Sequence, residues 1–139
     1  MAYRPININP LDLTPSVALG VSIPFNNQTA FNSVYTTAEQ LKYNIINYLL
    51  TDKGERIFDI GFGAGLRAEL FEQMTPEKLE TMQVVIGEEI AQYFPKVQIT
   101  ELSFTPNYDQ NYLTLTIRYN IENTGKADEI LLNFNNNGI

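Results

Sequence analysis

The segment that most constrains the fold of this chain runs from Thr51 to Glu72. It contains Thr-Asp-Lys-Gly-Glu-Arg, then Phe-Gly-Ala-Gly-Leu, and finally Leu-Phe-Glu. A helical apolar pattern precedes it, glycines recur inside it, and a short apolar pattern closes it. This order predicts a helix, an abrupt stop, a glycine-rich elbow and a short helix. The segment has no nucleophile, no histidine and no recognisable cofactor loop, so it favours assembly over catalysis.

Composition narrows the possible functions further. The 139 residues contain no cysteine and no histidine, which excludes disulfides, thiolate chemistry and the commonest general base. The net charge is −7 and only nine residues are Lys or Arg, so a nucleic-acid surface is not expected. No apolar run approaches the roughly 20 residues that span a bilayer. We expect a soluble protein made in a cytoplasm, with no cofactor, no metal and no membrane partner.

The N-terminal 35 residues differ in pattern from the rest. Prolines at positions 5, 10 and 15 alternate with apolar residues, which predicts an extended arm over about residues 1–17. Two short extended candidates, 19–25 and 30–35, flank a polar turn and could form a β-hairpin. We therefore divide the chain into an arm at 1–35 and a single domain at 36–139.

Three helices are predicted in the domain, at about 37–52, 65–73 and 75–94. Thr36 or Thr37 can cap the first, which Lys53 and Gly54 would end. Thr75 and Pro76 begin the longest. The apolar positions of the first and longest helices recur at helical spacing, so each helix has one buried face. In the longest helix Glu77, Glu80, Glu88 and Glu89 mostly point away from that face.

The last 45 residues change to the alternation of β-strands. Val97 and Ile99 alternate in one phase and Leu102 and Phe104 in the other, which predicts a bulge near Thr100 or Glu101. Residues 112–121 and 130–134 alternate strictly, with one apolar and one polar face, so the sheet should be antiparallel. The predicted class is α+β: three helices packed beside a three-stranded antiparallel sheet from about 96–134.

Two chemical interpretations of the elbow are weak. Its glycines lack the sequence of a dinucleotide or phosphate loop, because Leu66 stands where the fingerprint needs glycine. Five carboxylates crowd the segment, at Asp52, Glu55, Asp59, Glu69 and Glu72. A pair of them could cleave a glycosidic bond, but Arg56 and Arg67 would keep them ionised. For Arg56 we favour a structural role, satisfying open helix carbonyls or pairing with Glu72.

The motifs of the elbow carry a family resemblance. The residues Thr51, Gly54 and Arg56, then Phe62, Gly63 and Leu66, then Leu70, Phe71 and Glu72 follow in order after the first helix. In this order they resemble the baseplate wedge and sheath-initiator family of contractile-tailed phages, over about residues 41–134. Some members have been called lysozyme-like. The family also has Glu-Pro-Arg after its long helix, where this chain has Phe94, Pro95 and Lys96.

The resemblance implies a virion protein of the inner tail baseplate, assembled in the host cytoplasm. Its implied partners are the core-bundle wedge protein, contacted at residues 94–96, and the tail sheath protein, with tube or hub proteins as further neighbours. The C-terminal strands would template the first sheath ring by strand addition. Open sheet edges suit that role, and the backbone of residues 112–121 and 128–134 could accept such strands. The predicted sheath contacts are Leu113, Leu115, Ile117, Ile130, Leu131 and Leu132.

Two other functions stay open. One is a peptidoglycan hydrolase that uses Glu55 with Asp59 or Glu72. The other is a generic module that captures peptides by strand addition. Our preferred hypothesis is a non-enzymatic structural subunit.

Overall fold

The computed structural model describes residues 9–13, 16–22, 33–66, 68, 75–122 and 124–135. These residues form a 3₁₀-helix at Pro10–Leu13 and two α-helices, α1 (Thr37–Leu50) and α2 (Pro76–Tyr93). Their five strands are β1 (Gly20–Val21), β2 (Ser33–Val34), β3 (Val97–Asn107), β4 (Tyr112–Ile121) and β5 (Ala127–Asn135). Two of the three predicted helices are therefore observed. The third, at 65–73, falls mostly outside the described residues, of which Leu66 and Ala68 are helical.

Both helices begin at the predicted threonine caps. The Thr36 hydroxyl accepts the Glu39 N–H at 3.3 Å, and the Thr75 hydroxyl accepts the Lys78 N–H at 3.3 Å. Each bond satisfies one of the amides that a helix start leaves open. The predicted faces are confirmed, because the buried side chains of α1 are Ile45, Ile46, Tyr48 and Leu49, and those of α2 are Leu79, Ile86 and Ile90.

The sheet is an antiparallel meander in the order β3-β4-β5. The register of β3 against β4 shifts between Ile99 and Glu101, so the predicted bulge is confirmed. The apolar faces of all three strands pack with the buried faces of α1 and α2 into one core. The opposite face is polar, as the alternation predicted. The α+β class and the three-stranded sheet are thus confirmed.

The arm contacts the domain at the start of α1. The Asp12 carboxylate accepts the Thr37 N–H at 2.7 Å and the Thr37 hydroxyl at 2.8 Å, so a residue 25 positions away adds a second cap. The segment around it is a 3₁₀ turn, which corrects the prediction of a fully extended arm. β1 and β2 pair antiparallel, as a hairpin requires; the intervening residues 23–32 lie outside the described part.

An Asp12→Ala substitution should therefore loosen the arm. Losing the carboxylate at the positive end of α1 should lower the free energy of unfolding by about 1 kcal/mol. Thermal denaturation should show a midpoint about 3–5 °C lower, and limited proteolysis should cut the arm sooner. Asp109→Ala, at an exposed turn position, is the control. Equal melting and cleavage of both variants would contradict a role for Asp12 in holding the arm.

Candidate functional site

The elbow is built by backbone hydrogen bonds at the end of α1. Thr51 is the C-cap, and its N–H donates to the carbonyls of Asn47 at 3.0 Å and Tyr48 at 3.3 Å. The returning chain then covers this end, because Ala64 N–H donates to the Tyr48 carbonyl at 3.1 Å and Gly65 N–H to the Thr51 carbonyl at 3.4 Å. The Asn47, Tyr48 and Thr51 carbonyls at this helix end are thus satisfied by the chain itself.

Gly63 allows this close crossing. Its φ is +120°, and a Cβ added there would lie 2.5 Å from the Thr51 carbonyl oxygen. Only glycine combines this backbone angle with so close an approach. Gly54 also has a positive φ, +87°, but it lies in the turn beyond the helix. The prediction that Gly54 ends α1 is therefore wrong: the helix stops at Leu50, with Thr51 in an extended conformation.

The Arg56 side chain lies against an aromatic ring of the elbow. Its guanidinium lies 3.8 Å from the centroid of the Phe62 ring, a cation–π contact. Phe62 in turn meets Tyr48 and Tyr93 edge-on, with centroids 5.3 and 5.2 Å apart. The Asn47 and Tyr48 carbonyls accept backbone N–H groups, so the predicted role of Arg56 at the helix end is wrong for these two. Its other predicted partner, Glu72, lies outside the described residues, as do Leu70 and Phe71.

Tyr48 links the elbow to α2. Its side chain is fully buried, and its hydroxyl donates to a carboxylate oxygen of Glu89. The other oxygen of Glu89 pairs with Lys53 Nζ at 2.8 Å. Burial, and then the Glu89 carboxylate, raise the pKa of the Tyr48 phenol, so it remains a neutral donor. From helical spacing, Glu89 was expected to point away from the apolar stripe of this helix. The missed signal is a tyrosine among aliphatic core positions, which needs a polar partner.

The acidic residues proposed for hydrolysis do not share a cleft in the described part of the chain. Glu55 and Asp59 are exposed, and the Glu55 carboxylate accepts the Asp52 N–H at 3.0 Å. Neither carboxylate lines the cavity of about 490 Å³ beside the arm or that of about 450 Å³ beside α2. The third candidate, Glu72, is outside the described residues.

Residues 94–96 join α2 to β3. Phe94 caps α2 and turns its half-buried ring toward Tyr48, at 6.2 Å between centroids. Pro95 and Lys96 are exposed, and the Lys96 carbonyl accepts the Glu122 N–H at 2.8 Å. Of the three predicted contact residues, two therefore present their side chains to solvent.

The hydrogen bonds of β4 reveal which backbone groups of the sheet point outward. On the β3 side, Glu122 N–H donates to Lys96, and the Arg118 carbonyl accepts the Thr100 hydroxyl. On the β5 side, Ile121 N–H donates to Lys126. Even-numbered residues of β4 thus face β3 and odd-numbered ones face β5. By antiparallel pairing, the odd-numbered residues of β5 direct their N–H and C=O groups away from the sheet.

The two outer edges of the sheet differ. β5 pairs with β4 alone among the described strands and contains neither proline nor bulge. β3 also has one strand neighbour, but its outward donors are interrupted by the bulge at Thr100 and by Pro106, which has no N–H. Bulges and prolines are common devices against unwanted strand pairing. Within the described part of the chain, the edge without such a device is therefore β5.

This geometry changes the predicted sheath contacts. β4 is paired on both sides, so the prediction that residues 112–121 could accept a strand is wrong for that strand. The side chains that face the core and are buried are Leu113, Leu115, Ile117, Ile130 and Leu132. Leu131 lies on the polar face with 57% of its surface exposed, and its backbone groups point outward. It is the one predicted contact with both features.

Arg118 connects the three strands across the polar face. It pairs with Glu101 of β3 at 2.7 Å and approaches Glu129 of β5 at 3.7 Å. All three side chains are about half exposed, so the pairs add little stability. The described residues contain neither a helix long and apolar enough to cross a bilayer nor a cluster of three acidic side chains placed to bind a metal.

Comparison with known proteins gives a consistent result. A family model described as baseplate wedge protein gp25 matches residues 36–126. Baseplate wedge protein gp25 of Enterobacteria phage T4 is 32% identical over 93 residues, which are 66% of this chain and 70% of that protein.

Two solved structures have a similar fold. One is a Geobacter sulfurreducens protein proposed to be a tail lysozyme, with a TM-score of 0.65 and 19% identity over 73% of this chain and 93% of that one. The other belongs to the six-fold symmetrised baseplate of the anti-feeding prophage, with a TM-score of 0.53 and 18% identity over 84% of each chain.

Proposed function

This chain belongs to the baseplate wedge protein gp25 family and is a structural component of a phage baseplate, and on that premise we propose that β5 starts the tail sheath. In this proposal the outward backbone groups of β5 accept a strand from a subunit of the first sheath ring. The arm and residues 94–96 face the core-bundle wedge protein and hold the domain in place. The chain transforms no substrate.

The accessibility of β5 is the observation that carries the proposal. Strand addition draws its affinity from main-chain hydrogen bonds, and these require an unblocked edge. Four positions from Ala127 to Asn133 point outward at every second residue. Glu129 N–H is held by the Asp128 carboxylate at 2.7 Å, which leaves the middle of the strand, at Leu131 and Asn133, as the natural site of pairing.

The polar face supports the same role. An added strand would extend a surface already lined by Arg118, Glu101 and Glu129, and by Thr114, whose hydroxyl lies 2.8 Å from Asn133 Oδ1. Polar cross-strand pairs are compatible with solvent before the sheath arrives. The free domain can therefore keep this edge open while its core remains fully covered.

Amide hydrogen exchange tests the proposal directly. In the purified chain the Leu131 and Asn133 amides should exchange rapidly, whereas those of Ile130 and Leu132, which face β4, should exchange slowly. With the sheath protein of the same particle, exchange at Leu131 and Asn133 should slow by at least about tenfold. The inward amides are the internal control. Slow exchange at Leu131 in the free chain, or no change with sheath protein, would contradict the proposal.

A further inference from the structure

The turn between α1 and the returning elbow exposes an unusual amount of apolar surface. Ile57 is 87% exposed, Phe58 is fully exposed and Ile60 is 70% exposed. We call these three side chains the apolar tip. Isolated apolar residues are common on surfaces, but adjoining large ones generally mark an interaction site. The proposed sheath contact does not use them, because they lie on the elbow and not on the sheet.

The apolar tip has a defined shape. Gly54 N–H donates to the Ile60 carbonyl at 2.9 Å, and Phe62 N–H donates to the Asp59 carbonyl at 3.1 Å. At its base, Arg56 rests on the ring of Phe62, which is itself in the core. A tip held in this way loses little conformational entropy when it binds, which favours affinity.

Charge indicates what the tip would meet. Glu55 and Asp59, both exposed, stand beside the apolar side chains, while the exposed Arg56 between them rests on the Phe62 ring. The whole chain has a net charge of −7. Complementary potentials favour a partner surface with lysine or arginine around the contact. Because the tip protrudes and is apolar, the matching surface is a concave one with an aliphatic or aromatic floor.

A second copy of this chain fits less well. A two-fold axis brings the same tip from each copy, so neither copy offers the other a concave surface at the contact. The three side chains also supply roughly 500 Å², whereas a stable dimer buries about 800 Å² on each partner. The tip has the size and composition of an anchor within a larger contact.

We propose that the apolar tip inserts into a pocket of another baseplate protein, one with an apolar floor and a basic rim. This inference rests on the proposed function and identifies a contact that places the chain in the baseplate before any sheath is present. Phe58 is the anchor, and Asp59 pairs with the rim. The contact is independent of β5, so each can fail without the other.

Site-specific crosslinking in assembled baseplates tests the insertion. Phe58 is replaced by p-benzoylphenylalanine, the particles are irradiated, and the crosslinked peptides are identified by mass spectrometry. The expected crosslink joins position 58 to apolar residues of another baseplate protein, with Lys or Arg within a few positions. A crosslink to a second copy of this chain, to an acidic or polar surface, or to nothing overturns the proposal.

Measurements of how much of each variant enters the baseplate provide a second test. Phe58→Ser should enter sheathless baseplates at least about tenfold less than the unmodified chain, and Asp59→Lys less than Asp59→Asn. Because Phe58 is fully exposed, its variant should melt normally. Tyr108→Ser, which removes an exposed aromatic from the β3–β4 turn, should incorporate normally. Normal incorporation of Phe58→Ser would refute the tip and leave the β5 proposal standing. Reduced incorporation of Phe58→Ser, together with no sheath pairing at β5 of the unmodified chain, would support the tip and refute the β5 proposal.

Discussion

A Leu131→Pro substitution is expected to yield baseplates that assemble but carry no sheath. The N–H of Leu131 points away from β4, so proline can be placed there without removing a bond of the existing sheet. The incoming strand would lose one donor and meet the proline ring. An unpaired buried carbonyl costs about 1–3 kcal/mol, which is about a tenfold to hundredfold loss of affinity. Electron microscopy of particles would measure the sheathed fraction.

The matched control is Leu131→Ala. It removes the same exposed side chain but keeps the N–H, so most particles should retain their sheath. Thermal melting of both purified variants should stay close to that of the unmodified chain. Sheathed particles with Leu131→Pro would exclude β5 as the site of strand addition, and loss of sheath with both variants would assign the contact to the side chain instead of the backbone.

A Gly63→Ala substitution is expected to remove most of the stability of the domain. Its φ of +120° is strained for any residue with a Cβ, and the added atom would meet the Thr51 carbonyl at 2.5 Å. Thr51 is itself fixed by bonds from its N–H and hydroxyl to the Asn47 carbonyl, so it cannot easily move. Strain and overlap together should cost more than about 3 kcal/mol. The thermal midpoint should fall by more than about 10 °C.

Substitutions at two other glycines distinguish the effect of backbone strain from the effect of overlap between an added Cβ and its neighbours. Gly54 has a positive φ but no neighbour within 4 Å of an added Cβ, so Gly54→Ala should cost about 1–2 kcal/mol. Gly87 lies inside α2 with open space around it, so Gly87→Ala should stabilise the domain by up to about 1 kcal/mol. If Gly63→Ala were no worse than Gly54→Ala, the close crossing of the two chain segments would not be what requires glycine.

Periodic features could be predicted from the sequence because they depend on neighbouring residues. The threonine caps, the buried faces of α1 and α2, and the alternation along β4 follow from spacing alone. The bulge at Thr100 was also visible, since the apolar phase changes between Ile99 and Leu102. The order of motifs in the elbow was sufficient to indicate the family.

Features that depend on distant pairs could not be predicted in the same way. The contact of Asp12 with Thr37 joins an irregular segment to a helix start, and no local pattern marks it. Glu89 was assigned to the solvent face because helical spacing cannot show that Tyr48 reaches it. The choice between the edges of the sheet required the register of all three strands, and so did the finding that Leu113, Leu115 and Ile117 belong to the central strand.

The proline at position 106 has a consequence for self-association. A sheet with two usable margins can bind a neighbour on each and so propagate into a fibre. Pro106 removes one outward donor from β3, so under the proposed strand addition at β5 each copy would begin one row of strands. The number of starting points on a particle would then equal the number of copies it contains, and concentrated free subunits would not grow into ribbons of their own.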